Sequence, residues 1–94
     1  MTEETLEEIA TAKFYDYPLN FGFDFGGVEI NEVRLNRFKG KHLKKLDINN
    51  MDMNECLKAI QMSAGWTPPQ TDELDASDIM GIQEVISCFL SPSQ

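Results

Sequence analysis

Basic residues are scarce in this 94-residue chain. Eight Lys and Arg stand against sixteen Asp and Glu, for a net charge of −8. A surface of that sign repels phosphate backbones, which argues against non-specific binding to nucleic acid. There is one histidine, His42, and there are two cysteines, Cys56 and Cys88. Neither Cys-x-x-Cys nor His-x-x-x-His spacing occurs, so no metal site is expected. Two thiols are too few for a disulfide scaffold and read as small apolar groups in a reducing compartment. No run approaches the roughly 18 to 20 apolar residues that a membrane span requires. The acidic start Met1-Thr2-Glu3-Glu4 is the reverse of a secretory signal, and the expected location is the cytoplasm.

Catalytic constellations are missing as well. With a single histidine, a Cys–His nucleophile pair has no support in the spacing. Gly26-Gly27 lacks the rest of a phosphate loop. Most carboxylates fall at helix starts, where capping accounts for them. Ser77 begins a helix, as the attachment serine of an acyl carrier does, but the run Asp75-Ala76-Ser77-Asp78-Ile79 departs from the carrier pattern Asp-Ser-Leu. The expectation is a binding protein without enzymatic activity or cofactor.

What is present suffices for one core: 41% hydrophobic residues, six of them Phe, with a single Trp66. A chain of this length makes one domain. Its charge is uneven. Residues 1–16 hold five acids and one base, residues 17–46 three acids and six bases, and residues 47–94 eight acids and one base. A basic island, Arg34, Arg37, Lys39, Lys41, Lys44 and Lys45, thus lies between acidic flanks. It is read as a solvated face that docks an acidic segment, with residues 1–16 of the same or a neighbouring copy as one candidate.

Residues 1–16 are read as a flexible acidic arm, partly disordered or helical, because the apolar stripe Leu6, Ile9, Ala10 is thin. From residue 17 the period changes to two. Phe21, Phe23 and Phe25 form a strand, Gly26-Gly27 a tight turn, and Val28, Ile30, Val33 and Leu35 the return. The apolar phase slips at Asn31-Glu32, which predicts a bulge there. The hairpin is placed at 17–38. A first helix is expected at about 40–48, with Leu43 and Leu46 one turn apart. A second, at 52–65, starts on a capping box of Asp52 and Glu55 with a Met51/Cys56 staple, presents Met53, Leu57, Ile60 and Ala64, and stops at Gly65. Pro68-Pro69 bars its continuation. A third, at 75–90, is capped by Asp75 and carries Ile79, Ile82, Ile86 and Phe89 inward. Residues 17–94 therefore read as one α+β domain, a hairpin packed on about three short helices.

From Val33 onward the chain resembles the small tail assembly chaperones of contractile-tailed, Mu-like bacteriophages. The resemblance runs through Val33-Arg34-Leu35-Asn36-Arg37, then Leu57-Lys58-Ala59-Ile60-Gln61-Met62-Ser63-Ala64-Gly65-Trp66. It continues in Leu74-Asp75-Ala76-Ser77-Asp78-Ile79 and Val85-Ile86-Ser87-Cys88-Phe89-Leu90. Trp66 stands where the family has an aliphatic residue and Ile79 where it has an aromatic one. The resemblance implies a non-catalytic protein of the host cytoplasm that binds the tape measure protein, helps recruit tail tube subunits and is absent from the mature virion. It also implies, in many members, a longer form made by frameshifting. Such a partner is a helical chain with apolar seams, which calls for an apolar groove with a charged rim. The candidate contacts are Arg34, Arg37, Phe38, Lys41, Lys44, Met51, Met53, Met62 and Trp66, since methionine, arginine and aromatic side chains suit adaptable surfaces. Homo-oligomerisation is compatible with this reading; nucleic acid and membrane are not expected as partners. The alternative is a small acidic phage adaptor, or a DNA-mimic inhibitor of a host protein.

Overall fold

The computed structural model describes residues 3–47 and 49–90. Its elements run α1 (Glu3–Thr11), β1 (Phe14–Phe25), β2 (Val28–Asn36), α2 (Gly40–Leu43), α3 (Met53–Ala64), α4 (Pro68–Asp72) and α5 (Ala76–Leu90). The fold is α+β: a two-stranded antiparallel hairpin with helices packed on it. Residue 48, the expected end of the first helix, and the polar end Ser91-Pro92-Ser93-Gln94 lie outside the described residues, as do Met1 and Thr2 of the acidic arm.

Gly26 and Gly27, at φ 59° and 83°, make the hairpin turn, as their pairing in sequence predicts. Both angles lie in the left-handed region that matches the twist of the flanking strands. Pairing runs from Phe25↔Val28 to Phe23↔Ile30, and again from Pro18↔Glu32 to Phe14↔Asn36. Between the two stretches Leu19, Asn20, Phe21 and Gly22 face Asn31 alone, four residues against one. The irregularity falls opposite Asn31, where the phase slip placed it, but the extra residues are on β1 rather than β2. An excess of three is odd, so it changes the strand phase. That is why Tyr17 meets Val33 and Phe23 meets Ile30, apolar against apolar on both sides of the bulge.

The core gathers Ile9, Val33, Leu35, Leu46, Ile60, Leu74, Ile82, Val85, Ile86 and Phe89. β1 starts at Phe14, so the hairpin takes in residues assigned to the arm, and α1 adds the buried Ile9 and Ala10 by packing on α5. α2 is a single turn, shorter than the helix expected at 40–48, and Leu46 beyond it is buried.

In α3 the buried face is Cys56, Ala59, Ile60 and Ser63, whereas Met53 is exposed and Leu57 and Ala64 are half-buried. The expected stripe followed the larger side chains. The actual one keeps Ile60 and is otherwise built on the small residues Cys56, Ala59 and Ser63, because α3 packs against both β2 and α5. Ser63 Oγ donates to the Asn36 carbonyl at 2.7 Å while Asn36 Nδ2 donates to the Ser63 carbonyl at 2.9 Å, a reciprocal tie between α3 and the end of β2.

Asp52 caps α3 by accepting the Glu55 amide at 2.9 Å. The box is not reciprocal, since Glu55 accepts the Asp47 amide instead, at 3.0 Å. After Gly65 the chain starts α4 at Pro68-Pro69, an unanticipated fourth helix of the domain, with Thr67 as N-cap and Gln70 closing a capping box. Proline suits the first helical turn because no amide hydrogen is needed there. Asp75 caps α5 through the Ser77 amide at 3.0 Å and hydroxyl at 2.6 Å.

Candidate functional site

The basic island is divided between interior and surface. Arg34 is exposed on β2; its Nε donates to Asp16 at 2.7 Å and its guanidinium lies 4.2 Å from the Phe14 ring centroid. That bond holds the Asp16 carboxyl below the usual carboxylate range. Arg37, just past β2, is half-buried. Nη1 donates to the carbonyls of Ala10 at 2.7 Å and Ala12 at 3.1 Å, and Nη2 donates to that of Phe89 at 3.3 Å. It therefore joins the C-terminal ends of α1 and α5, where a cation suits the exposed carbonyls and the negative end of the helix dipole. Residues 10–16 thus meet the island within one chain, through two carbonyls and Asp16.

Phe38 is half-buried against the core and stands edge-on to His42 at 6.1 Å between centroids. Lys41 and Lys44 are exposed, and among the described residues neither forms an ion pair.

The apolar candidates are also separated. Trp66 packs edge-on to Phe23, with centroids 5.9 Å apart, beside the hairpin. Met62 is half-buried against the core, and Met53 is 51% exposed at the start of α3. Met51 alone of the four lines a groove of about 160 Å³ between α3 and α5. On the α3 side it is joined by Cys56 and Ala59; the α5 side is Gln83, Ile86, Ser87 and Leu90. The groove exists because Cys56 and Ala59 are short. Gln83 Nε2 donates to Cys56 Sγ across it. A larger depression of about 350 Å³ on the hairpin is lined by Gly22, Phe23, Asp24, Glu29 and Asn31, and its two carboxylates make it a poor seat for an apolar group.

Sequence reading missed Gln83, Ser87 and Leu90 as groove residues, and missed the exposure of Phe21, Val28 and Met80, the most exposed large apolar side chains among the described residues, at 61%, 60% and 60%. Gln83 and Ser87 fall four residues apart on the polar edge of α5, a signal that periodicity alone reads as solvent-facing. Period-two alternation puts Phe21 on one face with Phe23 and Phe25; the bulge between Pro18 and Phe23 turns it out. Both cysteines are free. Cys56 is buried, while Cys88 is half-buried, with its thiol pushed up by burial and by Glu84. Among the described residues no three of His, Cys, Asp and Glu come together as a metal site, and no helix is long and apolar enough to cross a membrane.

Taken together, the fold and its surface define a small acidic α+β domain with a helix-walled groove and a separate lysine face. The family model described as "Phage tail assembly chaperone proteins, E, or 41 or 14" matches residues 16–91, which take in α2 to α5 and all but the first two residues of the hairpin. The chain belongs to this phage tail assembly chaperone family. The match is to the family as a whole and does not single out a Mu-like type. α1 precedes the matched span. No curated protein and no solved structure matches the chain.

Proposed function

We propose that this chain binds the tape measure protein of its phage during tail assembly and helps recruit tail tube subunits, without catalysis. The observation that carries this reading is the family match over almost the whole hairpin-and-helix domain. Physical chemistry supports it. An unassembled helical chain with apolar seams aggregates unless those seams are covered, and a small domain rich in adaptable side chains can cover them.

In this reading Met51, Met53, Met62 and Trp66 contribute the apolar contacts. Lys41 and Lys44, backed by Arg34, Arg37 and Phe38, form a second, charged surface for the other partner. A net charge of −8 keeps the chaperone itself soluble. The protein acts in the host cytoplasm and is left out of the finished virion.

Co-expression with the tape measure protein of the same phage tests the proposal. Co-purification, together with a larger soluble fraction of the tape measure protein, is the expected result. A tape measure protein that is soluble alone and ignores this chain overturns it.

A further inference from the structure

We infer that the α3–α5 groove is an anchor pocket for one apolar side chain of a basic segment of the tape measure protein, an inference that rests on the reading above. Size is the first argument. The space of about 160 Å³ is close to that of an apolar cavity of about 150 Å³ that takes a benzene ring. One Leu, Met or Phe side chain fits such a volume. Ile86 and Leu90 supply aliphatic wall on α5, and Met51 closes the α3 side with a side chain that adapts to different occupants. Gln83 and Ser87 give the groove a polar edge.

Charge names the flanks of that occupant. Both walls come from residues 47–94, which hold eight acids and a single base, Lys58. Lys58 is already paired with Glu55 at 3.2 Å. Asp52 follows Met51 at the α3 end, and Glu84 is exposed on α5 next to Gln83. The last turn of α5 carries no basic residue, and Leu90 at its end lines the groove. The negative end of that helix dipole therefore lies beside the pocket, and among the described residues it is the Phe89 carbonyl that Arg37 meets. Lys or Arg on either side of the apolar anchor complements this rim. The lysine face around Lys41 and Lys44 has the opposite sign and suits a different partner.

The test uses the full chain co-purified with the tape measure protein of the same phage, in rising salt. Ser87→Trp fills the groove from an exposed position, and Glu84→Lys reverses an exposed charge on the helix that walls it. Glu29→Lys, the same charge change on the hairpin, is the control. We expect Ser87→Trp to lower retention of the tape measure protein at least tenfold and Glu84→Lys severalfold. Glu29→Lys should leave it unchanged, and wild-type retention should fall with salt. Methyl NMR of the wild-type chain reports the same point without a variant, through shifts of Met51 and Ile86 on binding. Retention by wild type with unmoved Met51 and Ile86 signals overturns the groove. Retention insensitive to salt and to Glu84→Lys overturns the basic partner. If wild type retains no tape measure protein, the tape-measure reading falls first and the anchor pocket with it.

Discussion

The carboxylate of Asp78 accepts the backbone amide of Phe21 at 3.0 Å, from a position with no solvent exposure of its own. Its other oxygen accepts the Asn20 amide at 2.8 Å. Asp78 thus belongs to the hairpin as much as to the first turn of α5. It takes two amides that the bulge removes from the strand ladder, and two charge-assisted bonds offset the cost of burying an ion. Asp78→Ala removes both acceptors. A loss of about 2–4 kcal/mol is expected, in the range for breaking a buried charged network. Urea denaturation measures the loss, and the Asn20 and Phe21 amides should exchange faster with solvent.

Gly81 lies inside α5, where alanine ordinarily stabilises a helix by about 1 kcal/mol. Here a Cβ would overlap the Tyr17 hydroxyl and come within 2.7 Å of its Cζ. The missing side chain is the notch that lets β1 close onto α5. Gly81→Ala should therefore cost about 1–3 kcal/mol, as overpacking does. In a Tyr17→Ala background the sign should reverse, because the ring is gone and only helix propensity remains. A double-mutant cycle in urea detects that reversal. Equal effects in both backgrounds would refute the notch.

Local signals carried much of this architecture. Gly26-Gly27, the Asp52 cap, Gly65 and Asp75 each act on residues within one turn of themselves, and all are legible without a structure. The Thr67-Pro68-Pro69-Gln70 run that starts α4 carries the same kind of signal, but a proline pair after Gly65 bars one helix and opens another with the same residues. What stayed hidden depends on distant partners. Asp78 looks like any first-turn acid until the bulge arrives 57 residues away in sequence. Arg37 looks like one more cation of an exposed island, yet its acceptors are carbonyls of α1 and α5, which have no side-chain signature. The groove was half legible: Met51 was a candidate, whereas the gap beside it comes from the shortness of Cys56 and Ala59 and the placement of α5.

Arg37 offers a third prediction. Its guanidinium spans three carbonyl acceptors in a fixed fork, which an ammonium on a flexible stem does not reproduce. Arg37→Gln should destabilise the chain by about 1–3 kcal/mol, the range for losing hydrogen bonds to a charged group. Arg37→Lys should recover less than half of that. Hydrogen exchange locates the effect: amides of Ala10 and Ala12 should lose protection first, while those of α3 keep theirs. Uniform loss across the chain would count against a local clamp.

Acid should weaken the fold through three surface carboxyls. Asp16 is held below its ordinary 3.8 by the Arg34 hydrogen bond, Glu55 below 4.5 by the Asp47 amide and Lys58, and Asp75 below 3.8 by the Ser77 hydroxyl and amide. A carboxyl that ionises more readily in the folded state stabilises that state above the unfolded value, and the contribution is lost as pH falls through the lower folded value. These three groups should therefore add no pH dependence between about 7 and 5, and should withdraw their support below about 4.5. Tyr17 acts at the other end. Burial, and then the charge of Asp78, raise its phenol above 10.0, so the neutral form is favoured on folding. Its contribution is complete below that value and is lost as pH rises through the folded one. Urea denaturation across the pH range, with carboxyl carbon NMR for the three acids, checks both limbs. Arg34→Ala should return Asp16 towards its ordinary value and leave Glu55 and Asp75 where they are, because each is held by its own neighbours. If all three moved together, a shared change of fold rather than three separate bonds would be setting the acid limb.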